Sequence, residues 1–556
     1  MRYKSHAFCW VDATKGAKMI SSANQKMPSL ARKKSFFGSF RRGRPSFRAD
    51  TRRRRTSSTS TNAPFTRAST SSEHASPKKV VVLGGGFGGL YCALKLDALS
   101  WRGKNGEQPK PIVTLIDANE TFLFKPLMYE LLTLDMEETE VAPSYEELLQ
   151  NTTVRFVRKE ATKIVPDTIL TTKSGTKVSG TGGQVIVRDA LTNEEERVKY
   201  DYLVVSLGAK VDFESEKNFV KGAKEFAIPF NGLEDVKEMQ KRIERLKEVK
   251  EDEKTVAVVG AGYAGVELAL CLARWFERED GLKDVKIKLV AKDGELLRSA
   301  TTGGKAAARK ALGKASNLEI LDGTVGAIER STDGSSSSSS SNSSSSPDEN
   351  TKLNIFLTKS DSSSETLENV DMCCWTVGLT AKLPTSETDW PFEQDRRTGK
   401  IITDSTLKVA GYDRVFALGD NSIQREHEKT KGKSTSEESE EKPATAQVAF
   451  QAADYCAWNV WSAINKRPLL PFRYQHLGDM MTLGNKEAAV QFPIGEEATL
   501  DGPAAFALRR LAYLYRMPTN EQRVKIGSKW LSAIRANPSA FVEEVIEGVN
   551  SYTSRK

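Results

Sequence analysis

The chain is 556 residues long, which at roughly 100 to 200 residues per domain allows about two to four structural units. Only 38% of its residues are hydrophobic and its formal net charge is +9, so part of it is expected to lack a core and to carry the surplus charge. The cysteines, at 9, 92, 271, 373, 374 and 456, show no CxxC or other framework spacing, and His6 and His74 are two of only four histidines; a disulfide scaffold, a zinc centre and a His-ligated metal are therefore not expected.

Residues 1–77 are rich in Arg, Lys, Ser and Thr (RRGRPSF, TRRRRTSSTSTNAPFTRASTSS), with only Asp12, Asp50 and Glu73 as acids. The composition is that of an organelle transit peptide; a basic disordered arm for an anionic partner is the other reading. Removing the arm removes most of the net charge, and no zinc-finger, RNA-binding or helix-turn-helix motif follows, so no nucleic-acid partner is expected. From residue 78 onward short Val/Ile/Leu strands alternate with helical segments, the signature of a parallel α/β architecture. No stretch reaches the roughly 20 uninterrupted apolar residues of a membrane span, which leaves membrane contact from one face only.

Residues 80–93, VVVLGGGFGGLYCA, run from an apolar strand through a glycine cluster into a helix. Gly84, Gly86 and Gly89 satisfy G-x-G-x-x-G, with Phe87 and Gly88 in the same turn: the first glycine makes the turn, the second lets backbone approach a pyrophosphate, the third lets helix and strand pack closely. The phosphates would meet the helix N-terminus. The next strand, VTLIDA, ends at Asp117, where a carboxylate can accept from a ribose diol; the polar insertion WRGKNGEQPK at 101–110 explains the long spacing.

Residues 256–269, VAVVGAGYAGVELA, repeat the design with Gly260, Gly262, Tyr263 and Gly265. Here the second strand, IKLVAK, ends at Ala291 and Lys292 instead of an acid. An acid would hold the 2′-hydroxyl of NADH and repel a 2′-phosphate, so NADPH is the expected donor unless Asp293 or Glu295 compensates, in which case NADH is. Two dinucleotide sites in one chain imply an electron relay, with FAD held at the first and a nicotinamide nucleotide exchanging at the second. Two low-complexity stretches, 331–350 (STDGSSSSSSSNSSSSPDEN) and 424–442 (QREHEKTKGKSTSEESEEK), read as a surface hairpin loop and a charged loop.

Three further stretches, YDYLVVSLGA at 200–209, CCWTVGL at 373–379 and VFALGDN at 415–421, make the chain resemble the two-dinucleotide-domain flavoproteins over residues 79–535. The resemblance implies an α/β fold of two Rossmann-like domains, glutathione-reductase-like, with the NAD(P) domain inserted in the FAD domain. It places Gly208, Gly419 and Asp420 beside the flavin and Gly378 beside NAD(P). FLFKPLMYELL (122–132) and PATAQVAFQAAD (443–454) are similar to the type II NAD(P)H:quinone oxidoreductases. No cysteine lies between Cys92 and Cys271, so the dithiol relay of the disulfide reductases is missing and electrons are expected to pass directly to a quinone. Residues 444–484 and 500–531 resemble the plant and algal C-type subgroup, placed in plastids and plastoglobules and including demethylphylloquinone reductases.

Carried over by position, Gln447 and Gln451 line the quinone tunnel, with Ala452 standing where the family often has a glutamine or glutamate. Glu267 lies near nicotinamide and quinone, or is a first-turn glutamate favoured by the helix dipole. Lys125, with Tyr129, packs on the flavin face, or the two are a surface lysine and a core tyrosine. The expected layout is an arm at 1–77, an FAD part at 78–225, an NAD(P) part at 226–370, a second FAD part at 371–460, and a C-terminal element at 461–556. In that element Ile526, Trp530 and Ile534 share a helical face with Lys525, Lys529 and Arg535 off it. Upstream, Phe506, Leu508, Leu511, Leu514 and Tyr515 mix with Arg509, Arg510 and Arg516, which would snorkel toward headgroups. The expected activity is a ping-pong, non-pumping transfer of two electrons from NAD(P)H to a membrane quinone, at a plastid membrane or lipid-droplet surface or in the mitochondrion. The same apolar stripe would also suit packing on the body of the protein or a homodimer. The rival readings are a reductase of a soluble acceptor and a non-catalytic protein that retains FAD.

Overall fold

The two apolar runs VVVL and VAVV are the central strands of two separate parallel sheets, and a strand flanked by neighbours and covered on both faces has to be apolar throughout. In the computed structural model the described residues are 76–536 apart from 102–108, 167–168, 172–176, 180–181, 250–252, 332–350, 385–389, 426–441, 485 and 494–497. The basic arm and most of both low-complexity stretches therefore lie outside the described residues.

In the first sheet β1 (Lys79–Leu83) leads into α1 (Phe87–Ala98) and β2 (Ile112–Asp117); β3 (Arg155–Arg158) and β4 (Tyr202–Val205) follow. The turn Lys125–Leu127 and the short helix α2 (Met128–Leu132) lie between β2 and β3. The chain leaves through β5 (Ala209–Val211) and builds the second sheet from β6 (Ala227–Pro229), β7 (Lys254–Val259), helix α3 (Tyr263–Phe276), β8 (Val285–Ala291), β9 (Leu318–Asp322) and β10 (Met372–Trp375). It returns through β11 (Leu379–Ala381) to β12 (Val415–Ala417). The orders are β12-β4-β1-β2-β3 and β6-β10-β7-β8-β9, and every neighbouring pair in both is parallel.

The two crossings between the sheets are hydrogen-bonded to each other, β5 antiparallel to β11, with Ala209 opposite Ala381. Gly208 and Gly378 open these strands, both at positive φ (73° and 74°) where the chain turns. One expected boundary moves. Cys373 and Cys374 of β10 pair with Ala227–Ile228 and Ala257–Val258, so the strand belongs to the second sheet and the return starts beyond it instead of at residue 371. The expected hairpin is present, with Thr324–Arg330 antiparallel to Leu353–Thr358 on either side of residues 332–350.

Past the long helix α4 (Ala446–Ile464), a three-stranded antiparallel sheet of β13 (Asp479–Gly484), β14 (Glu487–Gln491) and β15 (Thr499–Gly502) precedes helices α5 (Pro503–Arg516) and α6 (Asn520–Ala536). The faces of these helices differ from expectation. Ile526 is fully buried and Trp530 packs against the core, while Lys525 and Lys529 reach Glu147 (2.6 Å) and Glu137 (2.7 Å). That stripe faces the protein, with the lysines closing over its edge, and Ile534 is a residue whose side chain is not described. Arg509, expected to snorkel, has no exposure at all. The outward apolar residues are Leu511, Tyr515, Val524 and Leu531, at 62%, 59%, 71% and 60% exposure. Among the described residues no helix is long and apolar enough to cross a membrane.

Candidate active site

The first glycine turn has the division of labour its spacing implies. Gly84 sits at φ 90° and its N–H extends the β1–β2 ladder to the Ile116 carbonyl at 2.8 Å. A Cβ on Gly89 would lie 1.8 Å from the Gly84 oxygen, and one on Gly84 2.2 Å from the Ser206 oxygen. A Cβ on Gly86 would meet nothing within 4 Å: two glycines make close packing possible and the third leaves an open approach. Gly86 caps α1 without a side-chain acceptor, and the first turn holds no acid, so the helix presents free N–H groups suited to an anion. Asp117 is at the expected place, accepting from the Gly85 N–H (2.6 Å) and the Asn119 N–H (2.8 Å). Phe87 points into an aromatic cluster with Phe122 and Phe124, so only its backbone faces the turn; Gly88 packs against Ser206 and Leu418. Tyr145, missing from the expected site, lies with its hydroxyl against Gly85.

The second turn superposes on this logic. Gly260 has φ 106° and donates to the Val290 carbonyl at 3.0 Å, Gly265 approaches the Gly260 oxygen in the same way, and Gly262 is open. At the end of β8 Ala291 is buried, and Lys292, the next residue, is exposed. Both carboxylates that could replace a ribose-binding acid are engaged by one guanidinium, Arg298, at 2.7 Å from Glu295 and 3.3 Å from Asp293. Together the turns fit two dinucleotides. The donor sets, open glycines and acid-free helix starts are those a pyrophosphate requires.

Three residues of the flavin-side motifs are brought together. Lys125 donates to Asn231 at 2.7 Å; its amine is held down by burial against the pull of Asp420 and Asp235. Asp420 is pushed up by burial and pulled back by Lys125 and Lys400. Gly419, beside it, turns at φ 81°.

Glu267 lies deeper in its helix than expected. Helix α3 starts at Tyr263 and has no acid in its first turn, so Glu267 lies beyond the reach of the helix dipole reading. It is buried instead, accepts the Thr482 N–H of β13 at 2.8 Å and the Tyr129 hydroxyl of α2. Burial raises its carboxyl from 4.5 to about 7, against the lowering pull of Arg509. Tyr129 is thus a core tyrosine, buried, with its ring 5.1 Å from Phe230. Arg509 forms an ion pair with Glu130, both buried. Neither partner was expected at the site; a glutamate inside the apolar run PLMYELL and an arginine pair inside an amphipathic helix were the available signals.

Gln447 and Gln451 project from α4 toward one loop, residues 474–478. Gln447 accepts from the Tyr474 hydroxyl (2.7 Å) and Leu477 N–H (2.9 Å) and donates to the Gly478 carbonyl (3.0 Å). Gln451 makes a two-way contact with the Gln475 backbone at 2.8 and 3.0 Å. Both amides therefore fix the loop leading into β13, which carries the Glu267 partner. Tyr263 reaches the same strand, 3.4 Å from Asp479. Ala452 is buried and lines a cavity with Gly419, Asp420 and Val448. Among the described residues no group of three potential ligands could hold a metal, and the described cysteines are free and buried.

Two five-stranded parallel sheets with matched glycine turns and a shared antiparallel link define a two-dinucleotide oxidoreductase. The model of the pyridine nucleotide-disulphide oxidoreductases matches residues 78–453. The alternative NAD(P)H-ubiquinone oxidoreductase of Arabidopsis thaliana, named as chloroplastic/mitochondrial, is 37% identical over 477 residues, covering 85% of this chain and 84% of its own. The demethylphylloquinone reductase of Synechocystis is 32% identical, covering 82% of this chain and 96% of its own. The solved NDH2 of Plasmodium falciparum in complex with NADH shares the fold at a TM-score of 0.62 and 17% identity, over 81% of this chain and 96% of that one. The chain belongs to the FAD-dependent type II NAD(P)H:quinone oxidoreductases.

Proposed function

We propose that the chain passes two electrons from NADPH, in preference to NADH, to a prenylated naphthoquinone or plastoquinone at a plastid or plastoglobule surface, or in the mitochondrion, by two separate half-reactions and without pumping protons. Glu267 carries the reading. Quinone reduction consumes two protons as well as two electrons, and a buried carboxyl titrating at about 7 can hold one and release it near neutrality. The Thr482 N–H holds one of its oxygens, and the Tyr129 hydroxyl lies beside it.

When bound, FAD accepts two electrons from the nicotinamide nucleotide and yields them to the quinone. Gly86 and the start of α1 would hold its pyrophosphate, Asp117 its AMP ribose, and Asp420 with Lys125 the ribityl side. Gly262 and the start of α3 would hold the pyrophosphate of NADPH, with the exposed Lys292 available to a 2′-phosphate and Arg298 turning to it from the Asp293 and Glu295 carboxylates it contacts here. Gln447 and Gln451 would shape the quinone entrance by fixing 474–478. The naphthoquinone and the plastid rest on the names of the Synechocystis and Arabidopsis relatives. Membrane docking would use Leu511, Tyr515, Val524 and Leu531, the apolar side chains that α5 and α6 leave outward.

Steady-state oxidation of NADPH and NADH with a naphthoquinone in detergent tests the proposal. Parallel double-reciprocal lines and a higher kcat/KM for NADPH are expected; converging lines would remove the two-step scheme, and an absence of quinone-dependent turnover would remove the acceptor.

A further inference from the structure

Helix α4 carries an outward line of side chains that the electron path does not use. Phe450, Asp454 and Trp458 follow at spacings of four, so they share a face about 12 Å long at 1.5 Å per residue. The Arg516 guanidinium of α5 lies 4.1 Å over the Phe450 ring and 5.6 Å from that of Tyr515, which joins one end of this face to the outward side of α5. At the other end Trp458, 38% exposed, stacks on Trp461 with ring centroids 4.9 Å apart. The Arg467 guanidinium lies 4.8 Å over the Trp461 ring, whose indole N–H donates to the Ser100 carbonyl at 2.9 Å. Leu470 is 44% exposed, and its backbone is held on both sides. The buried Asn459 side chain accepts the Leu470 N–H at 2.7 Å and donates to the Leu470 carbonyl at 2.9 Å, and Pro468 and Pro471 stiffen the flanks. Apolar residues exposed singly need no explanation, but a joined patch that the fold holds outward does.

The charge around the patch selects its partner. Lys466, Arg467 and Arg473 are exposed and make no ion pair among the described residues. No acid occurs between Asp454 and Asp479, and Asp454 is itself paired with Lys95 at 3.2 Å. Indole rings and a leucine rimmed by unpaired cations suit the headgroup layer of an anionic bilayer, where indoles settle and each cation gains from the surface potential. We propose that helix α4 is itself part of the membrane contact: the Trp458–Trp461 pair and Leu470, with Lys466, Arg467 and Arg473, seat it on an anionic lipid surface alongside α5. The inference rests on the reading that the acceptor is drawn from a lipid surface. Its consequence is positional. Residues 465–473 run directly into 474–478, the loop that Gln447 and Gln451 hold, so seating this segment places the quinone entrance at the bilayer instead of above it.

The test puts an environment-sensitive fluorophore on the FAD-loaded full chain. Cys9→Ser directs the label to an introduced thiol, since the described cysteines are buried. Leu470→Cys and Leu511→Cys are labelled separately and titrated with vesicles of phosphatidylcholine containing phosphatidylglycerol. A blue shift and a rise in emission are expected from both probes. Lys466→Gln combined with Arg473→Gln should raise the lipid needed for half of the signal at 470 by about twentyfold or more, about fivefold for each charge removed. Trp458→Cys supplies a second probe position should Leu470→Cys fail to fold. A shift at 511 with none at 470 or 458 overturns the proposal and leaves docking through α5 and α6 standing. No shift at any position refutes the lipid surface itself, a distinguishable result. A titration that the two glutamine substitutions leave unchanged overturns the part given to the cations. A shift at 470 that follows protein concentration without vesicles assigns the patch to a second copy of this chain and overturns the proposal as well.

Discussion

Replacing Glu267 by glutamine should make the protein more stable, and more so the higher the pH. The carboxyl is raised on folding from 4.5 to about 7, so between those values the folded state binds more protons than the unfolded one. Stability from this group is then fully present below about pH 4.5 and is lost as pH rises through about 7. At 1.36 kcal/mol per unit the difference amounts to about 3 kcal/mol. Glutamine keeps the acceptor for the Thr482 N–H and offers an N–H₂ to the Tyr129 oxygen, and it carries no charge to desolvate. Thermal melts of the FAD-loaded wild type and Glu267→Gln, run side by side from about pH 5 to about pH 8.5, should nearly coincide at the acid end and diverge at the alkaline end, with the variant melting higher. Melting curves that stay parallel across the range, or a variant that loses ground as pH rises, would refute a burial-raised carboxyl at this position.

The open and closed glycines of the first turn give a paired expectation: Gly86→Ala should fold but hold FAD more weakly, whereas Gly89→Ala, with its Cβ 1.8 Å from the Gly84 oxygen, should fail to fold around β1, as circular dichroism and bound-flavin absorbance would report. Arg298→Ala and Lys292→Ala should lower kcat/KM for NADPH by about tenfold or more, the cost of a charge-assisted contact, with NADH turnover nearly unchanged; equal losses for both donors would place the 2′-phosphate elsewhere. Leu511→Asp combined with Val524→Asp should weaken sedimentation with anionic lipid vesicles while sparing turnover of a water-soluble quinone analogue. Retention of vesicle binding would show that another face docks.

Both nucleotide turns were legible because their constraints are local. A strand, three glycines and a helix start leave no room for alternatives within about 14 residues, and Gly84, Gly89, Gly260 and Gly265 sit where the spacing put them. The C-terminal helices were not legible in the same way. A stripe of Ile526 and Trp530 looks the same whether it meets lipid or protein, and the difference lies in Glu137 and Glu147, nearly 400 residues away in sequence, which receive the lysines at its edge. Arg509 was misread for a related reason: an arginine beside aromatics suggests a headgroup, and only the fold brings Glu130 beneath it. Strand Met372–Trp375 joined the second sheet because its partners, Ala227–Pro229 and Val256–Val259, are non-local. Gln447 and Gln451 stood out only by resemblance, and their contacts to 474–478 depend on a turn that no periodicity announces.

The measurement that bears most directly on the proposed electron path is an anaerobic double-mixing stopped-flow experiment on the FAD-loaded protein without its basic arm. NADPH or NADH is mixed first and a naphthoquinone or plastoquinone analogue second, with flavin absorbance followed throughout. Loss of the flavin band with the first mix, faster for NADPH, and its return with the second at rates matching turnover, is the predicted result. A band that bleaches but does not return with any quinone would contradict the acceptor, and one that neither nucleotide bleaches would contradict the relay itself.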